Sequence, residues 1–151
     1  MAIVIRAATP ADAAIIATFN ALMARETEGK SLDRALLDAG VRALIADPNK
    51  GRYVVAERDG EVVGQLAITS EWSDWRNGWF WWIQSVYVAA TARRQGVFRA
   101  LYRHVEDAAR ADPSVIGIRL YVDTDNQPAQ VTYQDLGLRL TSYRILEKYP
   151  L

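Results

Sequence analysis

Between Trp79 and Ala111 the hydrophobic period changes once, and this change restricts the available folds more than any other feature of the chain. Trp79–Val88 is aromatic and β-branched, the composition of a strand. Ala100–Ala111 repeats its apolar residues at helical spacing. Between them stands "ARRQG" (Ala92 to Gly96), two adjacent arginines and a glycine where strand gives way to helix. A helix start exposes unpaired backbone N–H groups and a partial positive charge. Glycine lets a bound group approach the backbone, and arginine forks onto phosphate oxygens. Strand, basic glycine turn and helix together suit a pyrophosphate. The same composition also occurs on solvated surfaces, so the turn by itself leaves both readings open.

The remaining segments supply a mixed sheet. Ala2–Ala8 alternates as a first strand, and Thr9 with Pro10 opens a helix running to about Arg25. "ETEGK" ends that helix, and Ser31 caps a second one that stops before "DPNKG". Gly51–Arg58 and Glu61–Trp72 flank Asp59-Gly60, a hairpin signal, and "SDWRNG" turns the chain into Trp79–Val88. Val115–Asp123 reads as a strand and Pro128–Leu136 as a short helix closed by Gly137. Leu138–Tyr149 holds one or two further strands. The predicted order is β-α-α-β-β-β-α-β-α-β, an α/β (α+β) arrangement with helices on both faces of the sheet. No repeat or linker interrupts it, so residues 1–151 read as a single domain.

Composition removes several chemistries. With 151 residues the chain can bury roughly 70 % of its unfolded surface in one core. The formal net charge is zero, so no global field draws in nucleic acid or an anionic membrane, and any anion site is local. The absence of cysteine excludes disulfides, thiolate metal sites and a cysteine nucleophile. A single histidine, His104, reads as a surface residue of a helix and argues against a metal site or a Ser-His-Asp triad. "MAIVIRAATP" is too short an apolar run for a signal peptide, and no segment approaches membrane-spanning length. A soluble cytoplasmic protein is expected.

The stretch "VYVAATARRQGVFRALY" resembles the central motif of the GNAT N-acetyltransferase superfamily: a strand, an Arg/Gln-x-x-Gly-x-Gly/Ala turn and a helix. Arg93 falls on its first position and Gly96 on its first glycine, while Phe98 stands where a second Gly or Ala is usual. Downstream, "NQPAQVTYQDLGL" resembles the family's other signature, Asn-x-x-Ala-x-x-x-Tyr-x-x-x-Gly-Phe, through Asn126, Ala129, Tyr133 and Gly137, with Leu138 for the usual Phe. The resemblance implies a mixed, mostly antiparallel GNAT-type sheet and acetyl-CoA as co-substrate. It implies contacts to acetyl-CoA from Val86, Tyr87 and Val88, from Arg93, Arg94, Gln95, Gly96, Val97, Phe98 and Arg99, and from Asn126, Ala129 and Tyr133.

Acetyl transfer to an amine needs a polarised carbonyl, a deprotonated amine and a proton for the departing thiolate. Tyr133 is the candidate general acid: a thiol titrates near ~8.5 and a phenol near ~10, so the exchange is feasible. Ala129 and Tyr133 lie four residues apart on one helix face, the small residue leaving room for the donor's arm. Asn126 reads either as a donor contact or as a helix cap. Family members often carry Glu or His at positions that fall here on Trp82 and Gln84, neither of which accepts a proton. Alternation places Trp82, Gln84, Val86 and Val88 on one strand face, where Gln84 can hold a water. Glu26 and Glu28, in the "RETEGK" loop that the resemblance places over the acceptor, are ionisable alternatives, with Glu71 and Asp74 more remote.

"EWSDWRNGWFWW" (Glu71 to Trp82) reads as a hairpin feeding aromatic rings to the core, or as an aromatic wall for a bulky or cationic acceptor. The expected activity is direct acetyl transfer to a primary amine of a small molecule or a peptide, without nucleic-acid or membrane partners. The alternative is a non-catalytic acyl-CoA-binding or interaction module of the same fold. A homodimer through the tail strand or the aromatic hairpin is open.

Overall fold

A computed structural model describes residues 2–151. Five strands form one sheet in chain order: β1 (Val4–Ala7), β2 (Arg52–Arg58), β3 (Glu61–Ser73), β4 (Gly78–Val88) and β5 (Val115–Leu120). Every neighbouring pair is antiparallel except β4 and β5, which run parallel. The mixed, mostly antiparallel sheet is therefore as the motifs implied. Two compact units make up the chain, Met1–Leu120 and Tyr121–Leu151, and the whole sheet lies in the first.

Strand alternation divides the sheet between two sets of helices. On one face α1 (Ala13–Glu28) and α2 (Arg34–Ala46) bring Ala13, Ile16, Ala17 and Val41 against Tyr53, Val55 and Ala67. On the other lies α3 (Val97–Ala111), which buries Val97, Leu101, Tyr102, Val105 and Ala109, one stripe at helical spacing. Gly64 permits that approach: a Cβ there would stand 2.8 Å from Val97 Cγ1 and 3.4 Å from Leu101 Cδ1. The β2–β3 turn has Asp59 at φ 53° and Gly60 at φ 80°, the left-handed pair that matches strand twist in a two-residue hairpin.

A polar clamp ties β1 to the start of α1. Arg6 donates to both carboxylate oxygens of Asp12 (2.8 and 3.0 Å), and Asp12 also accepts from the Thr9 backbone N–H at 2.7 Å. The guanidinium holds the Asp12 carboxyl below the usual range.

Several boundaries differ from the sequence expectation. Pro10–Asp12 form a 3-10 turn, and α1 then continues past Arg25 to Glu28, because Gly29 (φ 63°) supplies the left-handed cap. Glu26 and Glu28 are thus helical rather than in a loop. Asp33, not Ser31, caps α2, its carboxylate accepting from Ala35 N and Leu36 N. Helix α3 begins at Val97, directly on the glycine turn, rather than at Ala100. Strand β5 stops at Leu120, where its register with β4 ends at Ile83, and does not reach Asp123.

The second unit carries α4 (Gln127–Asp135), close to its expected span. The one or two strands expected over Leu138–Tyr149 do not form. Alternating apolar residues make a strand only against a partner backbone, and here Leu140, Ile145, Leu146 and Tyr149 are exposed instead.

Candidate active site

The site region of the first unit is built on an irregularity in β4. Gln65 pairs with Tyr87 and Ala67 with Gln84, so one residue of β3, Leu66, stands against two of β4, Ser85 and Val86. Such a bulge reverses the side-chain alternation beyond it. Ser85 takes φ 52°, a left-handed conformation unusual for a residue with a side chain. The alternation expected for Trp82, Gln84, Val86 and Val88 therefore fails. Trp82, Gln84 and Tyr87 share the α1 face, while Val86 and Val88 turn to the α3 face.

The second irregularity is the end of β5. Its register with β4 runs from Trp79↔Val115 to Ile83↔Leu120, and β4 continues alone to Val88. Among the described residues no strand pairs with that edge of β4 over Gln84–Val88, although these residues lie inside the sheet order. An extended chain with amide groups can pair there.

Past Val88 the backbone turns through Ala90–Ala92 into the arginine-glycine loop. Arg94 (φ 63°) and Gly96 (φ 81°) are both left-handed, and Gly96 is the N-cap of α3. Left-handed residues at a helix start are a common part of backbone concavities that accept anions. The first N–H groups of α3, from Val97, Phe98 and Arg99, have no carbonyl one turn back within the helix. Val97 sends its side chain into the core, leaving only its backbone for a ligand. Phe98 packs back along the helix on Tyr102, ring centroids 6.3 Å apart, and the loop keeps its glycine cap despite the bulky residue.

The side chains of the turn are partly engaged. Arg93 Nε donates to Val88 O (2.9 Å) and Nη2 to Glu26 Oε1 (2.6 Å), with the guanidinium 5.4 Å from the Tyr87 ring centre. Tyr87 donates its hydroxyl to Glu26 Oε2, and its ring packs on Phe19 of α1. Tyr87 and Arg93 keep the Glu26 carboxyl below its ordinary range, and burial followed by Glu26 pushes the Tyr87 phenol up. Glu26 is thus a poor proton acceptor that fastens the end of α1 to the glycine turn. Glu28 is exposed beside Lys30. Gln95 accepts from Arg58 of β2 and donates to Thr91 O, bracing the loop from within. Arg94 and Arg99 are exposed.

Beside the open edge, Gln84 donates to Thr69 Oγ1 (2.7 Å) and Trp82 Nε1 to Glu71 Oε1 (3.1 Å). Arg119 of β5 also donates to Glu71 and lies 3.6 Å from the Phe80 ring centre. Gly117 makes room for that ring, since a Cβ there would stand 2.6 Å from Phe80 Cε1. Only Trp81 of the aromatic hairpin is buried, and Trp72, Trp75 and Trp79 are exposed. His104 is on the surface of α3, as expected.

In the second unit Asn126 caps α4, its Oδ1 accepting from Ala129 N at 3.2 Å. Tyr133 sits one turn beyond Ala129, and burial pushes its phenol up. The sequence reading missed Gln65 and Asn20, which meet under the bulge. The available signal was a glutamine inside the apolar run "VVGQLAI". Among the described residues no group of three or more His, Asp or Glu is placed to hold a metal, and no helix is long and apolar enough to cross a membrane.

Comparison with known proteins agrees with this geometry. The model of the acetyltransferase (GNAT) family matches residues 17–138. No curated protein matches the chain. The crystal structure of a possible acetyltransferase from Clostridium difficile 630 is 43% identical, covers 100% of this chain and 99% of its own, and superposes with a TM-score of 0.93. More distant structures share the fold. A ribosomal-protein-alanine N-acetyltransferase from Brucella melitensis biovar Abortus 2308 is 17% identical with a TM-score of 0.80, covering 99% of this chain and 100% of its own. An aminoglycoside acetyltransferase from an uncultured soil metagenomic sample is 22% identical with a TM-score of 0.75, at 99% and 100% coverage. With both motifs, the parted strands and a family match over most of its length, the chain belongs to the GNAT family of acetyltransferases.

Proposed function

We propose that this chain is an acetyl-CoA-dependent N-acetyltransferase that passes the acetyl group directly to a primary amine. The observation that carries this reading is the continuity of the unpaired β4 edge, Gln84–Val88, with the Arg93–Gly96 turn and the start of α3. Val86, Tyr87 and Val88 pair with the amides of the pantetheine arm. The turn at Arg94–Gly96 and the N–H groups of Val97, Phe98 and Arg99 take the pyrophosphate, with Arg94 and Arg99 adding charge and Arg93 fixing the strand end. In the transfer step the amine nitrogen bonds to the acetyl carbon and the C–S bond breaks. The thiolate takes the Tyr133 proton, and the new amide's excess proton returns through water to the Tyr133 phenolate, restoring the acid. The raised phenol keeps Tyr133 protonated at neutral pH, as an acid requires. Asn126 and Ala129 order the turn of α4 that carries Tyr133.

We assign no carboxylate as the base that deprotonates the amine. Trp82 and Gln84 accept no proton, and Glu26 is held ionised by Arg93 and Tyr87. Water held by Gln84 carries the ammonium proton to bulk. The same observation favours a second reading, a non-catalytic acyl-CoA-binding or interaction module. The family match crosses Leu120, which supports one functional domain over residues 1–151. The aminoglycoside and ribosomal-protein-alanine enzymes support an amine acceptor, either a small molecule or a peptide. The exposed apolar tail, Leu140 to Tyr149, supports association of two copies, and the zero formal net charge is consistent with a cytoplasmic protein.

Calorimetric titration with acetyl-CoA, with free CoA as control, tests the reading. Micromolar binding at one site per chain, followed by amine-dependent thiol release, is expected. Binding without release for any amine selects the non-catalytic module, and no binding of either ligand refutes both readings.

A further inference from the structure

Gln65 is the most deeply buried polar side chain of the sheet, 0 % exposed, between buried apolar neighbours Gly64 and Leu66. Its amide nitrogen donates to Asn20 Oδ1 of α1 at 2.8 Å and to the Ser85 carbonyl at 3.1 Å. Asn20 is itself buried and is hydrogen-bonded to the hydroxyl of buried Tyr53 on β2. The amide oxygen of Gln65 is buried without a hydrogen-bond partner. An apolar side chain there would leave Asn20 Oδ1 and the Ser85 carbonyl without this donor, so the glutamine keeps one unmatched oxygen for a reason that outweighs it.

The reason lies opposite. Ser85 is the residue at which β4 departs from regular pairing, with its left-handed φ of 52°. A bulge leaves a backbone group out of the ladder. The Ser85 carbonyl turns to the α1 face and finds the Gln65 amide there in place of a backbone donor. If β4 slipped by one residue into regular pairing, every side chain past Gln84 would change face. Tyr87 would then leave Phe19 and Glu26, and Val86 would enter the α1 face. One side-chain amide thus decides between two registers of the strand that bears the site.

We propose that Gln65 is a positioning residue for acetyl transfer: anchored on Asn20, it holds the Ser85 carbonyl and fixes the bulge that sets the open edge of β4 beside the reacting thioester. The proposal rests on the reading that this edge receives acetyl-CoA. The glycine turn, which takes the pyrophosphate, lies beyond the bulge and is braced separately by Arg58 through Gln95, so donor affinity falls less than turnover on loss of the clamp.

The test uses the Q65M variant, close in shape and without donors, and N20S, which keeps Gln65 but removes its anchor. Amide hydrogen exchange of Ser85–Val88 is measured on the free proteins, together with kcat and acetyl-CoA affinity. Those of the amides that pair with β3 are expected to exchange at least tenfold faster in both variants, while β2 and the rest of β3 keep their protection. In Q65M, kcat falls tenfold or more and the donor Kd changes less than threefold. If Q65M does not fold, N20S carries the same comparison with a smaller effect. Unchanged protection at Ser85–Val88, or a loss spread evenly over the sheet, overturns the clamp. A weakened Kd with unchanged kcat overturns its role in positioning. Because exchange is read without ligand, failure of the wild-type chain to bind acetyl-CoA would refute the proposed function and leave the clamp independently testable.

Discussion

Gly64→Ala tests how the first turn of α3 is seated. The new methyl would stand 2.8 Å from Val97 Cγ1, 3.4 Å from Leu101 Cδ1 and 3.5 Å from the Tyr87 carbonyl oxygen. Val97 is 2 % exposed and β-branched, so it has no rotamer into which to retreat. The methyl is accommodated only if α3 moves outward at the end that carries Gly96. Overpacking of this kind costs about 1–3 kcal/mol. Removing glycine from the unfolded chain returns about 0.4–1 kcal/mol. The net loss is at most about 2.6 kcal/mol and centres near ~1.3 kcal/mol, and at roughly 2–4 °C per kcal/mol for a chain of this size Tm falls by about 3–5 °C at that centre. Differential scanning calorimetry measures that fall, and titration with acetyl-CoA measures the accompanying loss of affinity, expected to be at least threefold. Adding Val97→Ala to Gly64→Ala should cost less than the two separate losses combined, because the first change makes room for the second. Gly96→Ala provides the contrast. No atom lies within 4 Å of its Cβ position, so its cost of roughly 1–2 kcal/mol comes from φ 81° alone and should not couple to Val97. A Gly64→Ala protein with unchanged or raised Tm and unchanged affinity would refute the steric argument.

Tyr133→Phe should lower kcat by about 10²–10⁴ while leaving acetyl-CoA affinity nearly unchanged. Burial raises the Tyr133 phenol, so steady-state activity should show no alkaline loss from this group until above about pH 10, and a loss centred between about pH 8 and 9 would contradict its assignment. Asp12→Asn should cost about 2 kcal/mol in urea unfolding at pH 7, through its hydrogen bonds to Arg6 and Thr9. Its folded carboxyl lies below the unfolded value near ~3.9, so this stabilisation is present above that pH and disappears as pH falls through the folded value. An equal difference from the wild type at pH 7 and pH 2 would sink the argument. If the tail joins two copies, Ile145→Asp with Leu146→Asp should shift the chain to the monomer by light scattering, and an unchanged mass would remove the tail from any dimer contact.

Local rules made much of this fold legible. The Asp59-Gly60 turn, the period change around Gly96 and the Asn126 cap each rest on a few adjacent residues, and each has the element it implied, while Thr9-Pro10 opens a 3-10 turn ahead of its helix. What stayed hidden depends on distant partners. The bulge at Ser85 leaves an alternating sequence unbroken, so Val86 and Val88 read onto the wrong face. Glu26 read as a loop residue and a candidate base because its helix ends only at Gly29 and its partners, Tyr87 and Arg93, lie far along the chain. The tail has a strand's pattern and no strand's neighbour. Gln65 could be noticed as out of place in an apolar run, but Asn20 as its anchor could come only from packing α1 against the sheet.

The parting of β4 and β5 also bears on the fate of the chain without its donor. An edge that offers unpaired amides recruits any extended segment, including one from another molecule. Gln84–Val88 is such an edge, short and set within the sheet rather than at its border. On the proposed function, the pantetheine arm covers it as a strand would. Donor at a hundred times its Kd would stabilise the folded state by about 2.7 kcal/mol. Acetyl-CoA supply would then govern the solubility of the protein as well as its turnover, with starvation for the thioester leaving an adhesive strand exposed.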